Sequence, residues 1–229
     1  MIVPHDKFSR PIAVLYADEN FMVFDKPAGI LVIPAPGDTR RTLVDIVNHQ
    51  YGSSQEGKLH PCHRLDRETS GAIIFAKGKR SQQLMMDLFH RRAVVKRYVA
   101  FINGKLANRQ RELRSRIRDF EQKKFQRNVA AKLSLTRYRV IEQRKGFGIV
   151  EVMPVTGRTN QIRIQFSEIG HPLVGERKYA LARDYALRFR RVALHASTLE
   201  WTHPVSRKKI SVTCPLPKDM EEFIERNGN

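Results

Sequence analysis

Apolar positions along the chain change period several times, and each change marks an element. Short alternating runs predict strands at Ile12–Tyr16, Phe21–Phe24 and Ile30–Ile33, separated by the turn sequences Asp18-Glu19-Asn20 and Pro27-Ala28-Gly29. Helical spacing follows over Thr42–Tyr51, with Leu43, Ile46, Val47 and Tyr51 on one side. A strand is predicted at Ala72–Ala76. A helix capped by Ser81 then turns Leu84, Met85, Leu88 and Phe89 inward. Tyr98–Ile102 reads as a strand ending at Asn103-Gly104, and Leu133–Ile141 and Phe147–Val155 as antiparallel strands around Lys145-Gly146. Ile162, Phe166 and Ile169 recur at helical spacing and stop at Gly170. A short helix over Ala180–Arg190, strands at Val192–Trp201 and Lys209–Cys214, and a helix after Pro217 complete the reading. Lys105–Arg127 shows little period and is expected to be an extended loop or mobile hairpin. Strands and helices are interspersed without regular βαβ alternation, which favours an α+β fold. No repeat or Pro/Ser-rich linker divides the chain, so one domain over residues 1–229 is expected.

Charge sharpens this picture. Lys and Arg number 42 against 23 Asp and Glu, a formal net charge of +19. Self-repulsion of that size in a folded chain points to a polyanionic partner, nucleic acid above all; a basic surface kept for solubility is the alternative. No apolar stretch approaches a membrane span and no signal peptide opens the chain. The two cysteines, Cys62 and Cys214, are far apart, which argues against a disulfide framework and for a cytoplasmic setting. The histidines lack metal-ligand spacing. Neither a P-loop nor a GxGxxG occurs, so no metal, nucleotide or other cofactor is expected.

Three clusters carry candidate chemistry. His63-Arg64-Leu65-Asp66-Arg67-Glu68-Thr69-Ser70-Gly71 puts a carboxylate between arginines just ahead of an apolar strand. Neighbouring cations keep such a carboxylate ionised as a nucleophile or base, although a salt-bridged turn would look the same. Gly157-Arg158-Thr159-Asn160-Gln161-Ile162-Arg163 places two arginines around a helix start, suited to anions or to a solvated helix face. Lys96-Arg97-Tyr98-Val99-Ala100 sets basic residues beside an aromatic that can stack on a base or fill the core.

Together these clusters resemble the RluA-type pseudouridine synthases. The stretch from His63 to Gly71 matches that family's HRLDxxTSG motif. Asp25-Lys26-Pro27-Ala28-Gly29-Ile30 resembles its KPxG segment, Lys96 to Ala100 its KxYxA strand, and Gly157 to Arg163 its GRxHQxR element. Leu194-His195-Ala196 and Thr202-His203-Pro204 resemble its LHA…HP signature. The resemblance runs from about Val14 to Pro217. Asn160 departs from it, standing where the family usually has histidine, and Gln165 stands where a second histidine is common. Asparagine donates and accepts hydrogen bonds but does not titrate.

The resemblance implies a mixed, mostly antiparallel sheet flanked by helices and loops, and an isomerase that converts uridines to pseudouridine in structured ribosomal or transfer RNA. Asp66 would be the essential carboxylate and Arg163 its ion-pair partner. Tyr98 would stack on the uracil, Ile162 pack against it, and Arg64 enter the RNA stack in place of the flipped nucleotide. Asn160 and Arg158 join them as RNA contacts, and the charge of Lys105–Arg127 adds Arg114, Arg116 and Arg118. The accessory N-terminal RNA-binding module of many relatives is not expected, because the motifs begin almost at once. A non-catalytic RNA-binding protein would share the charge without needing Asp66, Tyr98 and Arg163 together; an enzyme that cuts glycosidic bonds outright usually employs two carboxylates.

Overall fold

The computed structural model describes residues 11–35, 37–52, 57–118, 130–181 and 187–227. Its strands are β1 (Val14–Ala17), β2 (Phe21–Lys26), β3 (Leu59–Pro61), β4 (Ser70–Lys77), β5 (Val95–Asn103), β6 (Gln110–Ile117), β7 (Lys132–Gln143), β8 (Phe147–Pro154), β9 (Leu194–Thr202) and β10 (Lys209–Thr213). The helices are α1 (Leu43–Tyr51), α2 (Gly78–His90), α3 (Gln161–Glu168) and α4 (Lys218–Arg226). The strands join one sheet in the order β1-β2-β4-β9-β5-β8-β7-β6, with β10 added to β9 and β3 to β4. Every pairing is antiparallel except β4 with β9. This is the α+β arrangement the sequence led us to expect.

β2 and β4 alternate apolar side chains to two sides. Phe24, Ile73 and Phe75 join Tyr98, Val152, Ile162 and Phe166 in the larger apolar cluster. Phe21, Val23, Ala72 and Ile74 pack with Met85, Leu199 and Trp201 in a second. Phe101, Phe147, Met220 and Phe223 form a third, which seats α4 on the sheet. Strand β9 lies between β4 and β5 and so joins the N-terminal strands to the meander β5-β8-β7-β6.

Several expectations are corrected. Ile30–Ile33 is buried in part but is not a strand. The Ile30 carbonyl accepts from Lys26 Nζ, and the Leu31 and Val32 carbonyls accept from Leu43 N and Val44 N at the start of α1, so the segment turns its acceptors on local donors. Helix α2 begins at Gly78 rather than after Ser81, whose hydroxyl instead accepts from Asn20 Nδ2. Residues 110–117 are not a loop. They form β6, paired in register with β7 from Gln110↔Arg139 to Ile117↔Lys132. Residues 119–129 of that basic stretch lie outside the described residues, as do 182–186 of the expected helix at 180–190; its described flanks are not helical.

Candidate active site

The carboxylate candidate sits on a turn between β3 and β4. Leu65 is buried, Asp66 half-buried, and Arg64 and Arg67 exposed. Thr69 N donates to the Asp66 carbonyl at 3.1 Å and closes the turn. Two buried cations hold the next two carbonyls. Lys26, which is fully buried, donates to the carbonyls of Arg67 (3.3 Å), Pro27 (3.0 Å) and Ile30 (2.9 Å). Burial pulls its pKa down to about 7 while the charge of Asp66 pulls it up. Three carbonyl acceptors are satisfied together only by the protonated amine. Arg191 Nη1 donates to the Glu68 carbonyl at 3.2 Å, and its Nε and Nη2 grip Asp219 of α4 at 2.7 and 2.9 Å. Gly29 completes the brace, its N–H donating to the Arg67 carbonyl at 2.7 Å and its carbonyl accepting from Arg67 Nε.

The exit from the turn is fixed to β9. Ser70 Oγ lies 3.0 Å from His195 Nδ1, and His195 Nε2 lies 3.3 Å from the Cys214 carbonyl. A carbonyl accepts only, so Nε2 carries the proton and Nδ1 accepts from the serine hydroxyl. At Gly71, with φ of +111°, a Cβ would stand 2.3 Å from the Ala196 carbonyl oxygen, so only glycine lets β4 and β9 approach here.

Facing this turn is the start of α3. Asn160 precedes the helix at φ of +55°, a conformation asparagine tolerates better than most side chains. Arg163 is buried and fully engaged. Its Nε and Nη2 donate to Glu176 Oε2 and Oε1 at 2.6 and 2.9 Å, and its Nη1 donates to Asn160 Oδ1 at 2.8 Å. Asn160 Nδ2 donates to the Tyr179 hydroxyl, and the Tyr179 ring lies 5.5 Å from the Arg163 guanidinium carbon. Glu176 is fully buried and also accepts from Lys178 N and Tyr179 N. Burial opposes both charges, but their mutual bonds outweigh it: the Arg163 pKa is raised and the Glu176 pKa lowered. Gly175 makes the loop possible, since at its φ of +80° a Cβ would meet the Arg191 carbonyl oxygen at 1.9 Å.

Tyr98, buried on β5, lies in the same apolar cluster as Leu65 and Ile162. Burial first, and the charge of Asp66 second, push its phenol pKa up, so it is neutral at physiological pH. The Asp66 charge therefore reaches Tyr98, Lys26 and Arg163 alike. Asp66 thus acts electrostatically on a buried phenol and a fixed guanidinium, while Arg64 beside it in the turn is exposed.

Asp66, Tyr98, Arg163, Ile162 and Asn160 are brought together, with Arg158 on the turn that leads into α3. Arg114 and Arg116 are not. Leu113 and Ile117 of β6 are buried on the α3 side, so the alternate residues Arg114 and Arg116 face the other way. There Arg114 and Arg137 share Glu112, with Nε–Oε distances of 2.8 and 3.0 Å. Arg118 is exposed just beyond the strand. Arg111 instead shares the register line Tyr98↔Val152↔Tyr138↔Arg111, on the Tyr98 side of the sheet. Sequence reasoning missed Glu176, Tyr179, Arg191 and the bracing use of Lys26. Among the described residues no three His, Cys, Asp or Glu side chains gather as a metal site, and no helix is long and apolar enough to cross a membrane.

Comparison with known proteins identifies the family to which this fold belongs. The family model described as RNA pseudouridylate synthase matches residues 20–168. An RNA pseudouridine synthase of Bacillus subtilis is 32% identical over 94% of this chain and 73% of its own length. Ribosomal large subunit pseudouridine synthase D of Nitrosomonas europaea is 32% identical over 98% of this chain and 68% of its own length. Among solved structures, human RNA pseudouridylate synthase domain containing 4 superposes with a TM-score of 0.75 at 24% identity, covering 94% of this chain and 93% of its own. The chain belongs to the RNA pseudouridine synthase family, of RluA type. It is an isomerase that acts on RNA.

Proposed function

We propose that the chain isomerises a uridine of ribosomal RNA presented in a stem-loop, with Asp66 as the catalytic carboxylate and the target nucleotide flipped out of its helix. The observation that carries this reading is the placing of Asp66 on a braced turn within electrostatic reach of Tyr98 and Arg163. The ribosomal substrate is favoured because several relatives at about this similarity are ribosomal large subunit enzymes.

Pseudouridine formation breaks the bond from C1′ to N1, turns the uracil and rejoins it through C5. No electrons are gained or lost overall, so the residues present need no redox or nucleotide cofactor. A stacked uridine hides C1′, hence the flip. The exposed Arg64 enters the vacated place, where its flat guanidinium stacks as well as pairs. The uracil lies between Tyr98 and Ile162. Asp66, anionic beside a developing positive sugar, either attacks C1′ or removes a sugar proton. Arg163, immobilised by Glu176, keeps that carboxylate ionised and aimed. Arg158 and Asn160 line the approach, and Arg111, on the Tyr98 side of β6, and Arg118, exposed just beyond the strand, extend the basic surface to RNA further from the target. A cytoplasmic setting fits the two buried free thiols, Cys62 and Cys214.

Incubating ribosomal RNA with wild type and with Asp66→Asn, then mapping pseudouridine, tests the reading. Wild type should modify discrete sites and the variant none, with RNA binding retained. Sites modified equally by both proteins would overturn the role of Asp66.

A further inference from the structure

Most buried cations of this protein are matched: Arg163 by Glu176, Arg191 by Asp219, and Lys26 by three carbonyls. Among the described residues, Lys96 and the Nε of Arg158 have no such partner. Lys96 lies on β5 two residues before Tyr98 and is largely enclosed. Burial lowers its pKa, and among the described residues no carboxylate offsets this. Its Nζ stands 3.6 Å from where a Cβ on Gly157 would lie, against the turn that carries Arg158 into α3. On the other side its charge is felt by His63, in the same turn sequence as Asp66. His63 cannot supply an opposite charge. Burial holds it neutral, with a pKa near 3, and its Nε2 accepts from Ile74 N. Arg158 is half-buried, and its Nε is enclosed without a hydrogen-bond partner among the described residues.

A desolvated ammonium costs free energy in the ligand-free protein, and an arriving anion offsets that cost, with the half-buried guanidinium of Arg158, the neighbour of Gly157, as a second donor. Gly157 presents no side chain here, so the space that a Cβ would fill at 3.6 Å from Lys96 Nζ is left to a ligand. We infer that Lys96 and Arg158 form a phosphate subsite between the Asp66 turn and the α3 turn, which takes a phosphodiester next to the uridine being isomerised. This deepens the functional reading above and rests on it. It gives the enzyme a handle on the nucleotide backbone beside the flipped base, distinct from the groups that act on the base and sugar.

The test titrates uridine 3′,5′-bisphosphate, uridine and inorganic phosphate into wild type, Lys96→Met and Arg158→Gln, by calorimetry in phosphate-free buffer. The bisphosphate should bind wild type at least tenfold more tightly than uridine or inorganic phosphate alone. Each substitution should erase most of that advantage while leaving uridine binding unchanged. Lys96→Met should also raise the melting temperature of the ligand-free enzyme, because an uncompensated buried charge is removed. An advantage for the bisphosphate that survives both substitutions, or is absent in wild type, overturns the subsite. So does a fall in melting temperature for Lys96→Met with ligand binding unaltered, which would make Lys96 a structural group. Failure of Asp66→Asn to abolish isomerisation would strike the catalytic reading instead and leave these titrations unaffected.

Discussion

Glu176→Gln separates what holds the protein together from what makes it work. Glu176 is fully buried and Arg163 is 11% exposed, so the substitution leaves a nearly dry guanidinium without its two-point partner. Removing one member of a buried pair costs roughly 3–5 kcal/mol. Arg163 keeps Asn160 and the charge of Asp66, and the Gln Oε1 still accepts from Lys178 N and Tyr179 N, so the low end, about 3 kcal/mol, is expected. For a chain of this size that is a fall of about 6–12 °C in melting temperature. Turnover at saturating RNA should fall with it, since Arg163 is freed to move. The double variant Arg163→Met/Glu176→Gln removes both charges and should regain stability to within about 1 kcal/mol of wild type. It should regain no turnover. The pair also sets an acid limb. The Glu176 pKa is lowered by folding, so its contribution is complete above the unfolded carboxylate range near 4.5 and is lost as pH falls through the lower folded value. Glu176→Gln should therefore lose less stability than wild type on acidification below that range. Near-wild-type isomerisation by the double variant would refute a catalytic role for Arg163. An unchanged melting temperature for the single variant would refute the energetic argument.

Tyr98→Phe should retain RNA affinity and stability to within about 1 kcal/mol; single-turnover rates then report whether the neutral hydroxyl contributes beyond the ring, and a Tyr98→Ala variant as active as Tyr98→Phe would remove the stacking role. Asp219→Asn should slow turnover at saturating RNA without weakening RNA binding, because it frees Arg191 from one anchor while Arg191 holds the Glu68 carbonyl; normal turnover with lowered stability would make the link structural only. Replacing Arg114, Arg116 and Arg118 with Gln should flatten the dependence of log affinity on log salt by about 0.7 to 0.9 for each arginine that meets a phosphate. Because Arg114 is already bonded to Glu112 and faces away from α3, Arg111→Gln should weaken RNA binding more than Arg114→Gln does. The reverse order would place the RNA on the other side of the sheet.

Much of the framework is legible in the sequence because period and punctuation coincide there. β2, β4, β5, β7 and β8 fall where apolar alternation is bounded by Asn-Gly, Lys-Gly or Asp-Glu-Asn turns, and α1 where Thr42 and Asp45 form a capping box. β6 escapes because its outward positions Gln110, Glu112, Arg114 and Arg116 are all polar and two of its inward ones are Arg111 and Ser115, which leaves Leu113 and Ile117 as its apolar clues. Ile30–Ile33 misleads for the opposite reason, an apolar run whose carbonyls are claimed by Lys26 and by the start of α1. The candidate site is legible as motifs but its support is not. Glu176 lies in a loop with no period, and a single sequence does not reveal which of 23 acidic residues will meet a buried arginine. The one available signal was Gly175, a glycine in an otherwise ordinary loop that marks a close backbone approach.

The place of β9 in the sheet bears on how the enzyme is made. Asp66, Tyr98 and Arg163 all lie within the first 163 residues, yet the strand that joins their two halves of the sheet spans residues 194–202. A nascent chain halted before β9 would leave β4 and β5 each with an unpaired edge, without His195 to fix the Asp66 turn or Asp219 to anchor Arg191. Such edges invite pairing with other chains, and contacts between residues so far apart in sequence form slowly. The interval between synthesis of β5 and synthesis of β9 is thus the one in which these edges stay open to other chains, and the Asp66 turn gains its brace to β9 only afterwards.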